Sequence, residues 1–157
     1  MDDFQALSPE AILNAIESLD YETDARIIEL NSYENRVFQI GIEDQAPLIA
    51  KFYRPNRWSN AMIEEEHQLT FALFEQGLSV VPPITHHNRS LFNFDGYRFS
   101  LFERRGGRAP AVDDLSCLES LGRHIALMHN VGGAESFEKR PHLSIDEFGH
   151  AARATLL

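Results

Sequence analysis

The sequence predicts an α+β fold, and three observations carry that assignment. One amphipathic helix precedes three short β-prone runs, a second helix and two further strands follow, and after Glu103 the pattern turns helical. The β-prone runs are separated only by short turns, so they pair as an antiparallel meander rather than through helical crossovers.

Taken in order, Ser8-Pro9-Glu10 opens the first helix with a capping hydroxyl, a proline in the first turn and a carboxylate facing the helix dipole. Ala11, Ile12, Ala15, Ile16 and Leu19 form its apolar stripe, which ends near Asp20. Arg26 to Leu30, Val37 to Ile42 and Leu48 to Tyr53 are the three strands, broken by Asn-Ser-Tyr-Glu-Asn and Glu-Asp-Gln-Ala-Pro. Ser59 caps the second helix, which runs to about Gln76 with Gly77 as its stop. Val80 to Pro83 is expected to open a fourth strand, and Tyr97 to Glu103 forms a fifth.

The stretch Arg104-Arg105-Gly106-Gly107-Arg108 reads as a hinge. Asp113 or Asp114 then caps a third helix that reaches about His129 and is closed by Val131-Gly132-Gly133, and a short helix is expected between Ser144 and Leu157. Gly122, inside the third helix, costs about 1 kcal/mol against alanine and is expected to mark a close helix contact.

Charge and composition narrow the function classes. The 157 residues hold 14 Lys plus Arg against 24 Asp plus Glu, a formal net charge of -10, which argues against nucleic acid or anionic lipid as partner. The single cysteine, Cys117, has no disulfide partner, and the acidic N-terminus lacks a signal-peptide layout. No apolar run reaches membrane-spanning length, so a cytoplasmic protein is expected. His86-His87 and the pair His124 and His129 lack metal-ligand spacing.

Only two of the basic residues are lysines, and one of them, Lys51, lies inside an apolar strand. Alternation puts Ile49, Lys51 and Tyr53 on one face and Leu48, Ala50 and Phe52 on the other. A lysine there calls for an anion: a bound phosphate, or a carboxylate of the Glu64-Glu65-Glu66 run on the following helix. A snorkelling lysine beside a solvated acidic helix face would give the same pattern. The turn Leu30 to Val37 could direct backbone N–H groups and the Ser32 hydroxyl at phosphate oxygens, although it contains no glycine.

The N-x-V-F-x-I continuation of that turn, the Ile49-Ala50-Lys51 strand, the glutamate helix closed by Gly-Leu-x-Val-Val-Pro, and L-G-x-x-I-A-x-M-H ending at His129 resemble the aminoglycoside phosphotransferase and choline kinase superfamily. Within it, NSYENRVFQIG, KFYRPNRW, EEHQ and GGR resemble the stress-response kinase A group, bacterial protein Ser/Thr kinases of the RdoA or YihE type, over nearly the whole chain.

This resemblance implies a protein-kinase-like N-lobe, a five-stranded antiparallel sheet with a C-type helix, over residues 1–103. The hinge and the start of an incomplete helical C-lobe would occupy 104–157. It implies ATP as ligand, with Ser32, Tyr33, Glu34 and Asn35 as the covering loop, Lys51 on the phosphates and Ile49 roofing the adenine. Glu66 is implied as the lysine's partner, with Glu65 the alternative, and the backbone of Phe102, Glu103 and Arg104 as the hinge that reads the base.

The superfamily's H-G-D-x-H-x-x-N loop and second metal-binding Asp have no counterpart after His129. The catalytic base and the Mg2+ ligands are therefore expected outside this chain, which alone would not turn over, while the longer protein would phosphorylate protein hydroxyls. The alternatives are a small-molecule phosphotransferase acting on a choline, homoserine or aminoglycoside type of acceptor, and a non-catalytic nucleotide- or partner-binding module. An apolar helix face without its lobe would also favour self-association of the fragment.

Overall fold

A computed structural model describes residues 4, 7–107, 109, 113–134, 137–151 and 153–154. Helix α1, Pro9–Glu17, begins where Ser8 accepts a hydrogen bond from the Ala11 N–H, as its cap sequence predicts. Strands β1 (Thr23–Leu30), β2 (Arg36–Ile42) and β3 (Leu48–Phe52) follow, then α2 (Asn60–Glu75), β4 (Phe92–Phe94) and β5 (Tyr97–Glu103). The five strands form one antiparallel sheet in the order β1-β2-β3-β5-β4.

The fourth strand is not where the sequence pattern put it. Val80 to Pro83 contributes a single bridge from Pro83 to Phe102, and the Ile84 N–H donates to the Leu101 carbonyl at 2.7 Å. Pro82 and Pro83 have no N–H to continue a ladder, so the chain only touches the sheet there. The edge strand is instead Phe92–Phe94, joined to β5 by a tight turn through Asp95 and Gly96.

One face of the sheet carries Phe38, Ile40, Ala50, Phe52, Phe99 and Leu101, and α1 packs its Ile12, Ala15 and Ile16 against it. Phe52 stacks on Phe99 with ring centroids 5.2 Å apart. Each such ring contributes about 1.5–3 kcal/mol through burial. Gly41 in β2 leaves room for the Asp24 carboxylate, whose Oδ1 would lie 2.0 Å from a Cβ there and would have to shift. That carboxylate is brought in by an irregularity of β1 between Thr23 and Ile27, where Ala25 has φ 63°.

Helix α2 is capped by Ser59, which accepts from the Met62 N–H at 3.2 Å, and it stops at Gln76 with Gly77 following at φ 78°. Helix α3 runs from Leu115 to Ala134, so it continues through His129 and the Val131-Gly132-Gly133 sequence expected to end it. Asp114 caps it, accepting from the N–H groups of Ser116 and Cys117. Nothing lies within 4 Å of a Cβ placed on Gly122, so the close contact expected there is not made by the described residues. A π-helical turn, α4, spans Asp146–Ala151 inside the expected short helix. Among the described residues no helix is long and apolar enough to cross a membrane.

Candidate functional site

The second face of the sheet is built from the alternate residues of the same strands. Register places Val37, Lys51 and Ser100 in one row across β2, β3 and β5, and Gln39, Ile49 and Phe102 in the next. Lys51 therefore projects from a central strand beneath α2, where its Nζ lies 3.1 Å from Glu66 Oε1. The sequence left Glu65 and Glu66 open as its partner, and the helix separates them. Successive residues are turned about 100° around the axis, so only Glu66 faces the strand.

Below the lysine sits a buried polar network. Lys51 Nζ is 4.7 Å from the centre of the Tyr53 ring, and the Tyr53 hydroxyl and His67 Nε2 are 2.8 Å apart. His67 Nδ1 lies 2.9 Å from Ser90 Oγ, and the Ser100 hydroxyl donates to the Ser90 carbonyl at 2.7 Å. His67 is only 2% exposed. Burial pushes its pKa down to about 4, with the nearby Glu66 opposing that and Lys51 adding to it. Burial likewise pushes the Tyr53 hydroxyl well above its ordinary range. Both groups are therefore neutral near pH 7, and the charged side chains beside them are Lys51, Glu66 and Arg140.

The turn between β1 and β2 is fastened from the side. Glu34 accepts a hydrogen bond from Trp58 Nε1 at 2.6 Å and lies 3.6 Å from Arg57 Nε, while Asn35 Oδ1 accepts from the Arg54 N–H at 3.2 Å. The side chains of Glu34 and Asn35 thus hold the loop, whereas Ser32 and Tyr33 at its tip are exposed. At the other end of the surface Phe102 lies opposite Ile49, Glu103 closes β5 opposite Leu48, and Arg104 donates to Gln39 Oε1 at 2.9 Å. Ile49, Lys51 and Phe102 thus share the second face of the sheet, whereas Glu103, opposite Leu48, belongs to the first.

Five participants were not singled out from the sequence: His67, Ser90 and Ser100 in the buried network, with Arg140 beside Glu66 and Trp58 beside Arg140. Trp58, the sole tryptophan, and His67 lie within the quoted stretches KFYRPNRW and EEHQ. Arg140 gave no local signal. Its guanidinium pairs with the second oxygen of Glu66, lies 4.7 Å from the Trp58 ring centre and donates through Nε to the Met62 carbonyl at 3.1 Å. Among the described residues no group of three or more His, Cys, Asp or Glu side chains is placed to hold a metal ion.

Comparison with known proteins gives this geometry a setting. A model of the phosphotransferase enzyme family matches residues 26–156. Stress response kinase A of Escherichia coli O157:H7 is 36% identical over 145 residues, covering 92% of this chain and 44% of that protein, and the Escherichia coli K12 protein gives the same figures. A serine/threonine protein kinase RdoA of Salmonella typhimurium is also 36% identical over 145 residues. The chain spans less than half the length of these relatives.

Among solved structures, amicoumacin kinase hAmiN in complex with AMP-PNP, Ca2+ and Ami superimposes with a TM-score of 0.66 at 20% identity, over 88% of this chain and 42% of that one. A microcompartment-associated aminopropanol kinase gives a TM-score of 0.69 at 18% identity, over 89% and 46%. At these identities the likeness is one of fold: the five-stranded sheet and its helices form a kinase-like N-lobe.

Proposed function

The chain belongs to the phosphotransferase enzyme family, and we propose that it is the ATP-binding portion of a bacterial protein Ser/Thr kinase of the stress-response group. In the longer protein it would serve phosphoryl transfer from ATP to protein hydroxyls. The observation that carries the reading is the Lys51–Glu66 pair at 3.1 Å on an otherwise apolar strand. A kinase uses such a lysine to hold the α- and β-phosphates and the glutamate to fix the lysine.

In this reading residues 1–103 form the N-lobe, and 104–157 the hinge and the first part of the next lobe. The adenine lies under Ile49 and Phe102 and is read by the backbone of Phe102 to Arg104. The Ser32 hydroxyl and the N–H groups of the 32–35 loop face the phosphates. Glu34 and Asn35 contribute by holding that loop through Trp58 and the Arg54 N–H. The 36% identity to proteins named as stress-response and serine/threonine kinases supports protein hydroxyls as the acceptor.

The kinase's divalent ion, Mg2+ in this reading, finds no three-ligand cluster among the described residues. The residues present bind and orient the nucleotide, and the chain by itself is expected to show no turnover.

ATP titration of the chain, with and without Mg2+, tests the site. Lys51→Ala is expected to weaken binding more than 10-fold, a loss of at least about 1.4 kcal/mol. Equal affinity for the two proteins would remove the assignment.

A further inference from the structure

Residues 137–140 lie against α2 in an arrangement that the assignment of a phosphate lysine does not require. Glu65, one position from the lysine's partner, turns away from Lys51 and accepts hydrogen bonds from three successive backbone N–H groups, those of Glu138 (2.5 Å), Lys139 (3.1 Å) and Arg140 (3.0 Å). Burial works to raise the Glu65 carboxyl's pKa, but these donations outweigh it and hold the group below its ordinary range. A carboxylate collared in this way fixes the main chain at 140, and with it the start of the Arg140 side chain.

From there Arg140 reaches back across α2. Its Nε donates to the Met62 carbonyl, its guanidinium lies over the Trp58 ring, and its terminal nitrogen takes the Glu66 oxygen that Lys51 leaves free. Glu66 is thus gripped at both oxygens, one by each cation. Trp58 in turn donates to Glu34 of the β1–β2 loop. A continuous path runs from the strap at 137–140 to both the lysine and the loop.

We infer that Arg140 is a positioning residue: carried on a strap anchored by Glu65, it orients the Glu66 carboxylate toward Lys51 and steadies the 32–35 loop through Trp58. The inference rests on the nucleotide reading of Lys51. Its electrostatics point the same way. Glu66 is shared by two cations, so Lys51 is less fully neutralised than in an isolated pair and keeps more of its attraction for a polyphosphate. Arginine is the residue suited to the task, since its planar fork can pair, donate sideways and stack at once, which lysine cannot.

The test uses the chain and four variants, Arg140→Ala, Arg140→Lys, Glu65→Gln and Lys51→Ala, each read by ATP affinity, thermal midpoint and Trp58 fluorescence. Trp58 is the sole tryptophan, so its emission reports the strap directly. Arg140→Ala is expected to shift that emission without nucleotide and to weaken ATP binding about 10-fold, in the range of a charge-assisted contact. Arg140→Lys should recover little of either, and Glu65→Gln should give a smaller change of the same sign.

Unchanged affinity in Arg140→Ala with binding lost in Lys51→Ala would overturn the positioning role and leave the nucleotide site standing. Full recovery by Arg140→Lys would also overturn it, because charge alone would then suffice. If Lys51→Ala binds ATP as the parent does, the nucleotide reading fails first and the positioning role falls with it. An equal loss of thermal midpoint and affinity in Arg140→Ala, with Trp58 emission unmoved, would reduce Arg140 to a packing residue.

Discussion

The two faces of the five-stranded sheet are made from alternate residues of the same strands, yet they have opposite physical characters. Phe38, Ala50, Phe52, Phe99 and Leu101 meet α1 in a dry, aromatic layer. Their neighbours one residue along, Lys51, Tyr53 and Ser100, meet α2 across charges and a hydrogen-bonded histidine. A period of two lets one strand serve stability and chemistry at once, provided that the apolar face supplies most of the folding energy. The polar face is then free to keep a lysine and a glutamate at its surface, where desolvation costs less than in the core.

The most forceful way to break this division is on the apolar face. Phe52 is fully buried between Phe38 and Phe99. Phe52→Ala is expected to cost about 3–5 kcal/mol in a urea melt. Lys51→Ala, the adjacent residue on the other face, should change stability by less than about 1 kcal/mol while its ATP affinity falls. Comparable stability losses at the two positions would mean that the faces are not energetically distinct.

A second effect belongs to the polar face and depends on pH. His67 is held neutral, with a pKa near 4 against 6.5 in an unfolded chain. Between those values the unfolded state binds more protons, so stability is complete above about pH 6.5 and declines as pH falls toward 4. The whole window amounts to about 3 kcal/mol. Glu65 and Asp114, whose pKa values are lowered by the hydrogen bonds they accept, withdraw their contributions only at more acidic pH, below their ordinary carboxyl range. Melts of the parent and of His67→Gln from pH 7.5 to 4.5 separate the two, since the variant should lose most of the slope. Parallel curves would show that His67 is not the titrating group.

The same contrast explains what could be read from the sequence. Strand alternation singled out Lys51, and capping residues marked the starts of both flanking helices, because each of these depends on neighbours within a few residues. Val80 to Pro83 misled because its apolar content is right for a strand while its prolines are wrong, a conflict settled by the available N–H groups. The resemblance implies Glu66 as the lysine's partner with Glu65 as the alternative, and the helix rotation turns Glu66 toward the strand. Arg140 lies 74 residues from the glutamate it grips. A contact of that separation is decided by how the chain returns to α2, and no local pattern encodes it.

The smallest stability effect, and a different test of the comparison, lies in α3. Like α1 it is amphipathic, but Leu118, Leu121, Ile125 and Met128, spaced to share one face, are 39–43% exposed, whereas Ile12, Ala15 and Ile16 of α1 are at most 2% exposed. Leu121→Glu should therefore shift the unfolding free energy by no more than about 0.5 kcal/mol. An apolar stripe left open in this manner also favours association between copies of the chain. Sedimentation of the parent should show concentration-dependent growth, and the pair Leu121→Glu with Ile125→Glu should abolish it. A monodisperse parent, or a destabilisation of several kcal/mol from Leu121→Glu, would mean that α3 is covered in solution and that its resemblance to the buried helix goes further than sequence pattern.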